Sequence, residues 1–226
     1  MTNEPDLAHR LTAVREGVSD ALAAADRIGE PIVTVVVTKF HPAGLVRELH
    51  SLGVRDFGES RHQDAREKAV ELADLDLTWH FVGQLQGKKA RQVQRYARVL
   101  HSVDRVSLAE TLGDADPRTD VFVQVNLTED PTRGGAVPAD LEAVAERVLA
   151  NPALVLRGVM AVAPVESEPR RAFAHLRELS DRVRLLDPTA DRISAGMTND
   201  FRDAILEGAT HLRIGSAITG KRPERR

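Results

Sequence analysis

No cysteine occurs among the 226 residues. Disulfides, thiolate metal sites and cysteine nucleophiles are therefore excluded. Aromatic residues make up only 4% of the chain, with one tryptophan and one tyrosine. A core must be built from Val, Leu, Ile and Ala instead. Neither sign of charge dominates: 31 Lys and Arg stand against 34 Asp and Glu, a net charge of −3. That balance argues against a dedicated nucleic-acid binder. No apolar run is long enough to cross a bilayer. The opening stretch, Met1-Thr2-Asn3-Glu4-Pro5-Asp6, is acidic and has no signal-peptide core. A cytoplasmic protein without a membrane or nucleic-acid partner is expected. Eight histidines are present, but none forms an HxH or HExxH pair, so no metal site is expected. Two basic stretches, Lys88 to Arg95 and the tail Lys221 to Arg226, read as solvated surface. An anionic partner is the alternative for each.

Hydrophobic residues supply 42% of the chain, and their spacing alternates between two periods. Leu7, Leu11, Val14, Val18, Leu22 and Ala25 mark one face of a helix that Gly29 can stop. Ile32 to Thr38 is a near-continuous β-branched run, the pattern of a strand buried on both faces. A helix from Pro42 and a strand at Val54 to Phe57 follow, with Gly58-Glu59-Ser60 as the next loop. Residues 61–73 read as a charged helix and residues 77–82 as a strand, followed by a short basic helix. Further strands are predicted at 98–101, 120–127, 154–160, 191–194 and 211–214. Helices are predicted at 105–112, 138–149 and 170–186 and around 204–206, with final turns after Gly215. One N-terminal helix followed by eight strand–helix units matches a single α/β domain over residues 1–226, a parallel (β/α)8 TIM barrel. The second, fourth and seventh strands carry the weakest patterns.

In such a barrel every loop after a strand faces one mouth. Lys39, which ends the first strand, arrives there with Glu59, Gln84, Asn126, Met160, the run Ser194 to Thr198 and the run Arg213 to Ser216. A lysine desolvated at a strand end has a lowered pKa and can attack a carbonyl. The alternative is a lysine that reaches into water. The small-residue loops after the last two strands suit phosphate, through backbone N–H groups and the hydroxyls of Ser194, Thr198 and Ser216. Turn chemistry explains either loop alone. Arg213 is expected either to contact a ligand or to pair with Asp56, Glu59 or Asp200.

Five separated stretches resemble one known family. They are Val37-Thr38-Lys39-Phe40-His41-Pro42-Ala43, Phe57-Gly58-Glu59-Ser60, Trp79-His80-Phe81-Val82-Gly83-Gln84-Leu85-Gln86, Leu156-Arg157-Gly158-Val159-Met160-Ala161, and Ser194-Ala195-Gly196-Met197-Thr198 with Arg213-Ile214-Gly215-Ser216-Ala217-Ile218. Together they are similar to the pyridoxal phosphate homeostasis proteins, whose barrel is like the N-terminal domain of alanine racemase. The resemblance implies that Lys39 forms an internal aldimine with pyridoxal 5′-phosphate (PLP). It implies that Ser194, Gly215 and Ser216 hold the phosphate and that Arg213 faces the pyridine nitrogen. A guanidinium there stays protonated and keeps that nitrogen unprotonated, which weakens the ring as an electron sink. The sequence departs from the family pattern at Ser60 and Lys88, where Asn is usual, and at Ala195 and Thr198.

The resemblance implies a monomeric PLP carrier that acts in cofactor homeostasis, without established turnover, with PLP-dependent apo-enzymes as partners. The alternative is a Schiff-base enzyme, either an amino-acid racemase or an aldolase. A racemase needs a second base opposite Lys39, and the one tyrosine, Tyr96, falls in a basic helix on the barrel's outside. An aldolase needs an acid/base partner, for which Glu59 and His80 are the candidates. An interaction protein on a barrel scaffold leaves the lysine and both loops unexplained.

Overall fold

The computed structural model describes residues 6–222. The acidic start up to Pro5 and the end of the basic tail from Pro223 lie outside these residues. Among them, eight parallel strands close into a barrel in sequence order. They are β1 (Val33–Val37), β2 (Asp56–Glu59), β3 (Thr78–Phe81), β4 (Val99–Val103), β5 (Thr119–Gln124), β6 (Leu154–Met160), β7 (Arg192–Ser194) and β8 (His211–Ile214). The first and last strands close the ring, with Val33 opposite His211 and Val36 opposite Ile214.

The helices lie outside. They are α1 (Leu7–Ala24), α2 (Ala43–Ser51), α3 (His62–Glu71), α4 (Gly87–Gln94), α5 (Val106–Thr111), α6 (Leu141–Leu149), α7 (Pro169–Leu186), α8 (Phe201–Leu206) and α9 (Ser216–Thr219). The extra helix α1 buries Leu7, Leu11, Val14 and Ala21 and packs on α8 and α9. Asp6 caps it by accepting the His9 backbone N–H at 2.8 Å, which satisfies one of the unpaired N-terminal donors. The predicted (β/α)8 barrel with its N-terminal helix is thus the observed fold.

Alternation along the strands, interrupted by irregularities in β4 and β6, sorts the side chains into two cores. The large core lies between sheet and helices and contains Val36, Phe57, Trp79, Leu100, Val121, Leu156 and Leu212. Inside the ring, Val99, Phe122 and Met160 form a small separate apolar cluster. The interior also buries His80, His101, Ser194 and Arg213. This polar interior departs from the usual filling of such barrels by branched aliphatic side chains.

Several boundaries moved. Gly58 and Glu59, expected in a loop, continue β2 because Val37 and Phe81 lie opposite them in the neighbouring strands. β4 extends to Val103, where it faces Val123. Pro42 precedes α2 as its cap, whereas Pro169 opens α7, the position where its missing N–H costs nothing. Gly158 sits where β6 closes on β7. A Cβ there would fall 1.8 Å from the Arg192 carbonyl oxygen, and its φ of 145° belongs to glycine.

Candidate functional site

The C-terminal ends of β1, β7 and β8 meet at one sector of the mouth. Val36 lies opposite Ile214, and a Cβ on Gly215 would be 3.7 Å from the Val37 oxygen. Lys39 follows β1 by two residues, on the segment that leaves the strand from Val37, the neighbour of Gly215. Thr38 is fully buried, but Lys39 is exposed. The expected desolvation of this lysine is therefore not found: the chain leaves the barrel one residue before it. Phe40 follows with φ of 72°, a strained value for a bulky residue. The Arg222 guanidinium covers the Phe40 ring at 3.6 Å from its centroid.

Behind the rim, Thr38 anchors a buried ion pair. Its hydroxyl donates to Glu59 Oε1 at 2.8 Å, and Lys68 Nζ donates to that same oxygen and to the Thr38 carbonyl. Glu59 and Lys68 are both buried. Glu59 Oε1 is thus taken by Thr38 and Lys68, and the carboxylate does not pair with Arg213.

Arg213 is the most unusual residue of the sector. It is buried, with Nη1 donating to Ser194 Oγ at 2.6 Å and Nη2 donating to the Ala161 carbonyl at 2.8 Å. Both acceptors are neutral, and among the described residues no carboxylate bonds to it. Asp56 bonds to His80 instead, Glu59 to Lys68, and Asp200 to the Met197 N–H. Desolvation pulls the Arg213 pKa down to about 10, and only the more distant Asp200 charge opposes this. The guanidinium remains charged at neutral pH.

Ser194 is fully buried. Besides accepting from Arg213, its Oγ lies 2.8 Å from His101 Nδ1. Thr198 and Gly215 stand closer to solvent, and Ser216 is exposed. The Ala217 N–H donates to Thr198 Oγ1 at 3.3 Å, which ties the loop after β7 to the start of α9. Ile218 and Thr219 donate their N–H groups to the Gly215 carbonyl. The Gly215 and Ser216 N–H groups, which precede these bonds, lack intrahelical acceptors by geometry and are available to an anion. Gly196 makes the loop possible: its φ is 90°, and a Cβ would come within 2.8 Å of Ala204.

Other predicted mouth residues serve elsewhere. Asn126 organises its own loop, donating to the Asp130 carbonyl and accepting from Thr128. Met160 belongs to the interior apolar cluster. His80 is buried inside the barrel between His101 and Asp56, so it does not reach the rim. Tyr96 packs against the outer core with its ring stacked on His62. A cavity of about 560 Å³ lined by Arg91, Arg98 and Asp116 contains none of the predicted site residues. It lies by the starts of β4 and β5, the end of a barrel that serves stability. His101 and Lys68 were not singled out from the sequence as site neighbours. Alternation over the predicted strand 98–101 sets His101 on the same face as Val99, but nothing local reveals its partners.

Residues 11–223 match the family described as alanine racemase, N-terminal domain. The pyridoxal phosphate homeostasis protein of Pseudomonas aeruginosa is 40% identical over 225 residues, covering 96% of each chain. That of Escherichia coli is 35% identical over 227 residues, covering 96% of this chain and 97% of the relative. The structure of PipY from Synechococcus elongatus, solved with PLP bound, superposes with a TM-score of 0.82 at 33% identity. The match covers 95% of this chain and all of PipY. Alanine racemase from Corynebacterium glutamicum shares the fold at 16% identity and a TM-score of 0.70, with 60% of its chain matched. The chain belongs to the pyridoxal phosphate homeostasis protein family, built on the alanine racemase N-terminal barrel.

Proposed function

We propose that this protein binds pyridoxal 5′-phosphate and acts in PLP homeostasis, holding the cofactor covalently at Lys39. The observation that carries this reading is the buried, carboxylate-free Arg213 one residue from the end of β8, in the same sector as an exposed lysine and the Gly215-Ser216 turn. A buried charge without a counter-charge is costly and marks a functional site. The groups available match three of the polar parts of PLP: its aldehyde, its pyridine nitrogen and its phosphate. The Lys39 amine suits the aldehyde, forming a Schiff base with loss of water. Arg213 suits the pyridine nitrogen, and the backbone N–H groups of Gly215 and Ser216 suit the phosphate. The Thr198 hydroxyl reaches the same turn. Ser194 serves the site by holding Arg213.

When bound, PLP supplies an electron sink that stabilises carbanions. A charged guanidinium against the pyridine nitrogen keeps that nitrogen unprotonated and limits the sink. Glu59 and His80, the acid/base candidates for an aldolase, are both held in buried hydrogen bonds. This favours holding the cofactor over turning over an amino acid. A monomer in the cytoplasm that delivers PLP to apo-enzymes fits this reading.

The purified protein should be yellow, and borohydride should fix the cofactor's mass on Lys39. Lys39→Ala should lose the covalent link yet keep weak binding through the phosphate turn. A colourless protein that takes up no added PLP overturns the reading. Alanine racemisation that disappears in Lys39→Ala replaces it with the enzyme alternative.

A further inference from the structure

A line of hydrogen bonds runs through the barrel from the mouth to the opposite end. Arg213 Nη1 lies 2.6 Å from Ser194 Oγ, which lies 2.8 Å from His101 Nδ1. His101 Nε2 lies 2.9 Å from His80 Nδ1, and His80 Nε2 lies 3.0 Å from Asp56 Oδ1. Ser194, His101 and His80 are at most 2% exposed. Asp56 opens β2 at the barrel's N-terminal end, and its side chain is 34% exposed.

The ends limit what happens between them. A guanidinium can only donate, and a carboxylate can only accept. If His80 is neutral and donates from Nε2 to Asp56, its Nδ1 must accept. His101 then donates from Nε2 and accepts at Nδ1. The Ser194 hydroxyl proton is left to point at His101, with a lone pair turned to Arg213. Every bond in the line is satisfied in this arrangement, and all five groups are used in one direction.

We propose that Asp56, His80, His101 and Ser194 are positioning residues that fix the direction of this line and thereby hold Arg213 in place for the cofactor. The proposal rests on the reading of Arg213 given above. It assigns Ser194 a role distinct from phosphate binding, because its one proton is committed to His101. It also makes a carboxylate at the far end of the barrel part of the cofactor site. Burial and the neighbouring His80, Arg213 and His211 charges all disfavour protonated His101, in keeping with a neutral ring that donates once and accepts once. The Phe122 ring stacks on His101 at 4.7 Å between centroids, which fixes the imidazole plane.

The test uses nitrogen-15-labelled protein without added cofactor. Long-range proton–nitrogen spectra at neutral pH should show His80 and His101 both neutral and protonated on Nε2. A doubly protonated His80, or a His101 protonated on Nδ1, overturns the proposal. Asp56→Ala should release both rings into mixed tautomers and weaken PLP binding about threefold to tenfold, with the Lys39 link intact. Unchanged rings and unchanged affinity in that variant also overturn it. Where Asp56→Ala does not fold, Ser194→Ala cuts the line at its other end. There the His101 Nδ1 signal should move while His80 keeps its tautomer; an unmoved His101 signal overturns the proposal. If Arg213→Ala binds PLP normally, the reading of the cofactor site fails, while the histidine spectra still decide the direction of the line.

Discussion

A guanidinium buried against two neutral oxygens is held at a cost, and Arg213 shows what offsets it. Ser194 and the Ala161 carbonyl accept its protons, and hydrogen bonds to a charged group contribute about 1.5–3 kcal/mol each. Arg213→Ala should weaken PLP binding by a comparable amount, about tenfold or more, and alter the cofactor's absorption spectrum; titration followed by absorbance checks both. Lys68 is the second revealing residue. Lys68→Met leaves Glu59 buried without its counter-charge, which should cost about 3–5 kcal/mol in urea unfolding. His211 makes a pH prediction. Burial, more than any neighbouring charge, lowers its pKa to about 3 from 6.5. The unfolded chain therefore binds a proton that the folded chain refuses. This contribution to stability is full above pH 6.5 and is lost as pH falls toward 3. His211→Gln should lose less stability than the wild type over that window, measured by urea melts at several pH values.

At the scale of elements, much was legible because strands and helices have different periods. The β-branched run of β1 and the three- and four-residue spacing in α1 and α7 identify those elements locally. Even the short β7 appears where it was predicted, at Arg192–Ser194. The boundary of β2 was not legible, because Gly58 and Glu59 look like turn residues. Only pairing with Val37 and Phe81 makes them strand. Gly158 carries an element-scale prediction. Gly158→Ala drives a Cβ into the Arg192 carbonyl at a φ that alanine avoids. It should separate β6 from β7 and cost about 3 kcal/mol or more, read as a drop in the unfolding midpoint with a disturbed loop after β7.

For the whole molecule, closure of the ring is what assembles the site. β1 and β8 are far apart in sequence, yet their pairing sets Gly215 beside Val37 and so beside the approach to Lys39. A ligand that bridges these two elements locks the closure. Saturating PLP, at about 100 times its dissociation constant, should stabilise the fold by about 2.7 kcal/mol. For a chain of this size that corresponds to a melting temperature about 5–10 °C higher, with a smaller rise for Lys39→Ala; a thermal scan measures it.

The sequence by itself determined the alternation of elements, the barrel, the lysine after the first strand and the glycine–serine turn after the last. The elements, the lysine and the turn are local, each written in spacing or composition within a few residues, and the barrel follows from the number of strand–helix units along the chain. The tertiary structure alone decided that Lys39 stands in solvent, that Glu59 belongs to Lys68, and that Asp56, His80, His101, Ser194 and Arg213 form one line. The physical reason is that hydrogen-bond partners inside a barrel come from different strands. Their meeting depends on register and on which face each residue turns inward, and neither is set until the ring closes.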